Sequence, residues 1–186
     1  MPHRAMAAGF SLVEVLVALA LAAILLGVAM PNLQPLIARW QLRTATADLQ
    51  NAIDLTRSQA IGRGRIVLLA PLDPAGVAWE QGWSIFADSN GNRRHDPGEP
   101  LFGHHGPVAG GIAISANLTS AAPPLVLAYN GAGRSCSPDN GLAAQWGTLT
   151  LKQGQDLRRI KINMLGRLRV CDPALEPADC EGVDAP

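Results

Sequence analysis

Charge of one sign is the first thing this sequence lacks. Lys and Arg together number 15, Asp and Glu 15, and the formal net charge is +0. Global electrostatics therefore selects neither nucleic acid nor an acidic surface as a partner. Metal-type cysteine spacing is missing as well. The cysteines, Cys136, Cys171 and Cys180, form no C-x-x-C pair, and no histidine stands at zinc-ligand spacing from them. In an oxidising compartment they would give one disulfide and one free thiol. Cys171 and Cys180 close the shortest loop; Cys136 with either is the alternative, and the sequence leaves the choice open. His104 and His105 are adjacent, so in extended chain their side chains diverge and make a poor joint metal site, even with His95 nearby. Gly131-Ala132-Gly133 reads as a loop without the rest of a nucleotide fingerprint. No nucleophile–base–acid arrangement emerges, which argues against an enzyme.

What the sequence does have is an uneven distribution of apolar residues. Phe10 to Met30 holds one charge, Glu14. At about 21 residues it is long enough to cross the ~30 Å hydrocarbon layer as a helix. From Asn32 onward the text is rich in Gly, Pro, Asn and short apolar runs, as in a soluble domain. The part beyond the first ~60 residues suffices for one modest core. An ordinary secretory signal is cut after its apolar stretch, and Gly27-Val28-Ala29 is only a weak site of that kind. Glu14 is also a poor choice inside a signal's apolar core, because a carboxylate near mid-helix costs roughly 2.5–3.5 kcal/mol on insertion scales.

Gly9-Phe10-Ser11-Leu12-Val13-Glu14, followed by the apolar run, resembles the leader junction of type IV pilins and type II secretion pseudopilins. The resemblance implies cleavage by a prepilin peptidase after Gly9 and methylation of the new N-terminus, Phe10. It also implies that Glu14 neutralises the N-terminal amine of a neighbouring subunit during assembly. Two charges that are each costly in lipid become tolerable when they meet, which can set the register between subunits. The leader is thinly basic, and Arg39 and Arg43 follow the span. The orientation, C-terminal domain outside the cytoplasm, thus comes from the resemblance rather than from charge bias.

Pro31 and Pro35 interrupt the helical pattern after the span, and a kink is expected at Pro31. Apolar residues then recur at Leu33, Leu36, Ile37, Trp40, Leu49, Ile53 and Ala60. That rhythm predicts an amphipathic helix packed on a sheet and ended by Gly62 and Gly64. Strands are predicted at 65–70, 77–87, 111–115, 125–129, 147–152, 157–163 and 167–171, separated by Gly, Pro and Asn clusters. One long helix followed by strands is an α+β arrangement with an antiparallel sheet. The run Arg57 to Gly64, then Gly82-Trp83-Ser84-Ile85-Phe86-Ala87-Asp88, is similar to the GspH/FimT branch of minor pseudopilins. The expected organisation is a leader at 1–9, a membrane and polymerisation helix at 10–30, its amphipathic extension at 31–64 and a periplasmic β-rich domain at 65–186.

Near the C-terminus, alternation puts Arg159, Lys161 and Asn163 on one face of a strand and Ile160 and Ile162 on the other. If Met164-Leu165-Gly166 forms a three-residue loop with Gly166 left-handed, Ile162 lies opposite Leu168 and Lys161 opposite Arg169. Apolar residues then share the core face, and Lys161, Arg167 and Arg169 the outer one. A two-residue loop would put Ile162 and Arg167 on one face. Like charges facing each other cost stability, which hints at an anionic partner. Gly166-Arg167-Leu168-Arg169 resembles the DNA-binding motif of FimT-type minor pilins used in natural transformation, which implies capture of double-stranded DNA through its phosphates. The alternatives are a solvated hairpin face or a contact with the next pseudopilin.

A second candidate runs from Asp88 to Glu99. Asp88, Asn90, Asn92, Asp96 and Glu99 fall at positions 1, 3, 5, 9 and 12 of a calcium-loop spacing. Against a calcium site, Arg93 stands where such loops carry Gly, and Arg94 and His95 crowd further cations in. The other reading is a polar loop held by Asx turns. Taken together, the sequence predicts a minor pilin or pseudopilin of the bacterial inner membrane that needs no cofactor. Its expected partners are other pilins, the prepilin peptidase and, in the DNA-capturing alternative, double-stranded DNA.

Overall fold

The computed structural model describes residues 10–120 and 122–180, with the backbone alone described at 26–32 and 179. Contacts divide the chain into two compact units, Met1–Ala38 and Arg39–Pro186.

In the first unit, helix α1 (Leu12–Arg63) starts under a side-chain cap. The Ser11 Oγ accepts the Glu14 backbone N–H at 3.3 Å, and Val15 N–H bonds to Ser11 O at 3.2 Å. Ser-x-x-Glu is the sequence of a capping box, so Ser11 fixes where the helix begins. From Phe10 to Leu25 every side chain is exposed. Among the described residues no helix is long and apolar enough to cross a membrane. Helix α1 continues through Pro31 and Pro35. The described backbone at Pro31 is helical, and Gly9 lies outside the described residues.

In the second unit the helix buries Leu42, Ala45, Leu49, Ala52, Ile53 and Ala60. Trp40, which the expected stripe includes, is instead 66% exposed. At roughly 100° per residue it lies ~200° from Leu42, on the far side of the helix. Leu33, Leu36 and Ile37 precede Trp40 by helical spacings and are exposed too. The inner stripe thus begins at Leu42, and the apolar residues that precede it are exposed. The helix ends in a Schellman motif: Arg65 N–H bonds to Ala60 O and Gly64 N–H to Ile61 O, both at 3.3 Å, with Gly64 left-handed at φ 63°.

Among the described residues nine strands follow: β1 (Val67–Pro71), β2 (Trp83–Phe86), β3 (Leu101–His105), β4 (Ile112–Leu118), β5 (Leu127–Tyr129), β6 (Ser135–Cys136), β7 (Gly147–Gln153), β8 (Asp156–Ile162) and β9 (Leu168–Cys171). They form two antiparallel sheets, ordered β3-β2-β1-β5-β6 and β4-β7-β8-β9. The inner stripe of α1 packs with Val67, Leu69, Trp83, Ile85, Leu127 and Tyr129 of the first sheet and with Ile114, Leu149, Leu151, Ile160 and Ile162 of the second. This single core makes the unit an α+β domain with antiparallel sheets on a helix. Leu68, Ala70, Phe86, Val126, Ala128 and Cys136 form a second cluster on the other face of the first sheet.

Two differences from the sequence expectation have local causes. The stretch 77–87 is split, because Trp79–Gln81 is a 3₁₀ turn and Gly82 breaks the run at φ 104°. A β-carbon on Gly82 would stand 2.3 Å from His105 O, so only glycine lets β2 start there. Strand β3 is absent from the expectation because Leu-Phe-Gly-His-His does not alternate; pairing with β2 imposes it.

Candidate functional site

The C-terminal hairpin has the register that a three-residue loop demands. Ile162 pairs with Leu168, Lys161 with Arg169, Ile160 with Val170 and Arg159 with Cys171. Asn163 N–H bonds to Arg167 O at 3.1 Å and Gly166 N–H to Asn163 O at 2.8 Å, with Gly166 left-handed at φ 74°. The Asn163 carboxamide oxygen also accepts the N–H groups of Leu165 and Arg167, at 3.0 and 2.9 Å. Side-chain and backbone bonds therefore fix the tip without help from solvent. Ile160 and Ile162 enter the core, and Arg167 and Arg169 are exposed. Across β7 and β4 the same outer row continues as Thr148 and Asn117, so the basic end of the row borders a neutral polar one.

The tip is also anchored from three directions that the sequence does not announce. The Gly166 carbonyl accepts from the Tyr129 hydroxyl at 3.2 Å and from Arg57 Nη1 at 3.2 Å. Burial pushes the Tyr129 hydroxyl well above its usual range, so it stays a neutral donor. Gly133 O lies 2.7 Å from where a Gly166 β-carbon would stand. A β-carbon on Gly133, itself left-handed at φ 71°, would stand 2.7 Å from Ile61 Cδ1 and 3.3 Å from Arg57 Nε. Helix, first sheet and second sheet thus meet at one glycine. The only sequence trace of this convergence is the Gly131-Ala132-Gly133 spacing just ahead of Arg134.

Cys171 and Cys180 form a disulfide with Cα atoms 5.8 Å apart, closing the turn after β9. It is backed by the Arg158–Asp172 ion pair at 2.5 Å and by Arg159 Nη1 donating to Cys180 O at 3.3 Å. Cys136 is free and buried in the second cluster, and desolvation pushes its thiol up to about 11. It stays protonated and unreactive at neutral pH.

Asp88, Asn90, Asn92, Asp96 and Glu99 come together in one loop, but as a self-satisfied turn rather than a calcium cage. Asp88 accepts the N–H groups of Asn90, Gly91 and Arg93, and Glu99 accepts those of Ser89 and Asp96. The Asn90 and Asn92 carbonyl oxygens take the N–H of Asn92 and Arg94, which turns both amide nitrogens onto Asp96 Oδ2, at 2.7 and 2.6 Å. N–H donors therefore occupy the interior where a cation needs oxygens. Those two amides, more than the nearby His95 and Arg94, hold the Asp96 carboxyl below its usual range. Arg93 does adopt the left-handed backbone, φ 61°, that the sixth position of a calcium loop requires, but its guanidinium turns back to pair with Asp139. Among the described residues no group of three or more His, Cys, Asp or Glu is placed to hold a metal ion. The histidines separate: His105 stacks on Trp83 with ring centroids 4.3 Å apart, and His95 meets Phe86 edge-on.

At the other end of the chain, the Glu14 backbone serves the Ser11 cap while its carboxylate makes no hydrogen bond or ion pair among the described residues. Phe10 is 81% exposed.

Comparison with known proteins places both ends in context. Residues 45–166 match the family described as type II transport protein GspH, and residues 4–30 match the prokaryotic N-terminal methylation motif. The pilin-like protein PilA1 of Thermus thermophilus is 30% identical over 164 residues, spanning 87% of this chain and 97% of that one. The crystal structure of the type IV minor pilin FimU from Pseudomonas aeruginosa superposes with a TM-score of 0.54 at 20% identity, covering 72% of this chain and 90% of that one. At that identity the likeness speaks for the fold alone.

Proposed function

The chain belongs to the family of the type II transport protein GspH, and from that premise we propose that it is a minor subunit assembled through its N-terminal helix into a pilus-like filament, in type II secretion or type IV pilus biogenesis. The observation that carries this reading is Glu14, the lone charge in a helix face from Phe10 to Leu25 that is exposed throughout. A stretch of that kind needs lipid or neighbouring helices to cover it, and its carboxylate needs a cation. A prepilin peptidase cutting after Gly9 supplies one. The new amine of Phe10 lies immediately before the Ser11 cap of each subunit and is available to the Glu14 of a neighbour.

In this reading residues 1–9 are the leader and 10–30 the single span in the inner membrane. Residues 31–64 extend the helix, kinked at Pro31, and 65–186 form the periplasmic domain. The Cys171–Cys180 disulfide suits that oxidising side. The exposed Leu33, Leu36, Ile37 and Trp40 suit lateral packing between stems. The test is intact-mass and N-terminal peptide spectrometry of the chain expressed with a prepilin peptidase. The expected mature chain starts at Phe10 with one added methyl. A chain that keeps Met1, or starts at Met30, overturns the proposal.

A second reading adds capture of double-stranded DNA to the same scaffold, and the specific observation for it is the pairing of Lys161 with Arg169 beside exposed Arg167. Arginine forks engage phosphate oxygens without reading bases. The full chain in detergent, titrated with duplex DNA across salt concentrations, should bind more tightly than an Arg167→Ala/Arg169→Ala variant. The variant's log–log salt slope should flatten by roughly 0.9 for each lost contact. Absence of binding by the unaltered chain at low salt removes DNA capture and leaves the basic face as a subunit contact.

A further inference from the structure

The turn that links β5 to β6 carries an arginine that the hairpin motif does not include. Asn130 organises this turn: its carboxamide oxygen accepts the N–H groups of Ala132 and Arg134, at 3.0 and 3.1 Å, and its own N–H bonds to Arg134 O at 3.0 Å. Arg134 is flanked by the two residues that press on the hairpin tip. A β-carbon on Gly166 would lie 2.7 Å from Gly133 O and 3.1 Å from Ser135 N. The Arg134 backbone therefore lies against Gly166, one residue before Arg167. Both side chains are exposed, and neither makes a hydrogen bond or ion pair among the described residues. Beneath them Arg57 reaches Gly166 O, while its Nε is buried with no partner, adding a third cation under the turn.

Exposed Arg39 pairs with Asp156 and half-buried Arg93 with Asp139, whereas neither Arg134 nor Arg167 pairs with an acid among the described residues. Here rigid turns from different sheets bring the backbones of Arg134 and Arg167 together, with Arg57 reaching the same glycine from the helix. Holding like charges in that way is unfavourable until an anion bridges them. We propose that Arg134 and Arg167 form a two-guanidinium clamp for the phosphodiester backbone of a nucleic acid. The clamp extends the basic face of the hairpin across the boundary between the two sheets. The inference rests on the DNA-capture reading and adds to it a contact from outside the hairpin motif. Because the bond is to phosphate, charge at position 134 matters and base sequence does not.

The experiment titrates the full chain in detergent with a short duplex DNA at several salt concentrations, beside Arg134→Ala, Arg134→Lys, Arg167→Ala and the 134/167 double alanine variant. Arg134→Ala is expected to weaken binding about three- to tenfold near 0.1 M salt and to flatten the salt slope by roughly 0.9, with about twice that change in the double variant. Arg134→Lys keeps the slope, because a phosphate contact survives as a point charge. If Arg134→Ala binds like the unaltered chain while Arg167→Ala is weakened, the clamp is wrong and DNA capture by the hairpin stands. If the unaltered chain does not bind at all, DNA capture itself fails and the clamp with it. An Arg134→Lys variant as weak as Arg134→Ala, with an unchanged melting midpoint, also overturns a charge-based role.

Discussion

Glu14→Gln in the full chain is expected to lower the amount recovered in the sheared filament fraction by roughly a hundredfold, with the melting midpoint of the globular domain unchanged. The size follows from what is left behind. In the proposed assembly the Phe10 amine of one subunit would meet the Glu14 carboxylate of another in a low-dielectric layer. Removing one partner of a buried pair leaves an uncompensated charge, at a cost of about 3–5 kcal/mol. About 1.4 kcal/mol is tenfold in an equilibrium. Glutamine is the informative substitution because Ser11 caps the helix at this position. Gln replaces Glu well in a capping box but neutralises no amine. If Glu14 served only the cap, Glu14→Gln would assemble normally, and quantitative immunoblotting of filament and membrane fractions would show equal recovery. A Glu14→Val variant that fails alongside a normal Glu14→Gln variant would likewise assign the residue to capping and remove it from assembly.

The lone charge in the N-terminal apolar run is legible in sequence because it is local, whereas the Ser11 cap emerges with the structure. The hairpin is legible for a related reason. Ile160, Ile162 and Leu168 can share the core face only with an odd loop, and Gly166 stands where such a loop turns left-handed. What remains hidden is contact between distant segments. Nothing in Leu101-Phe102-Gly103-His104-His105 marks a strand; its place opposite β2 needs Gly103 to clear Ile85, whose Cδ1 would stand 3.0 Å from an added β-carbon. Cys136 pairs with neither other cysteine because its strand holds it in the cluster of Leu68 and Ala128, a fact of sheet order rather than spacing. The helical rhythm that includes Trp40 is genuine, but periodicity finds an apolar stripe without saying which surface covers it. Leu42 to Ala60 face the sheets, and Trp40 does not. The meeting of Arg57, Tyr129, Gly133 and Gly166 leaves almost no trace, since each belongs to a different element.

That meeting point makes the stronger stability prediction. Gly166→Ala is expected to destabilise the domain by about 3 kcal/mol, which for a domain of this size lowers the melting midpoint by roughly 10 °C. Part of the cost is conformational, because an L side chain at φ 74° gives up ~1 kcal/mol or more. The rest is packing. The added methyl would stand 2.5 Å from Tyr129 Cε1, 2.7 Å from Gly133 O and 3.1 Å from Ser135 N. Two of those neighbours are backbone, and Tyr129 is fully buried in the core, so none can swing aside cheaply. Gly154, in the turn between β7 and β8, separates the two parts. It has φ 60° but nothing within 4 Å of an added β-carbon, so Gly154→Ala should lose only the conformational part, ~1 kcal/mol. Thermal melts of the two variants, side by side, read the difference as the close packing of the hairpin tip. Equal midpoints would mean that the tip is not held by Tyr129 and the Gly133 turn. The rigid placement of Arg167 beside Arg134 would then lose its basis, because it depends on the same contacts.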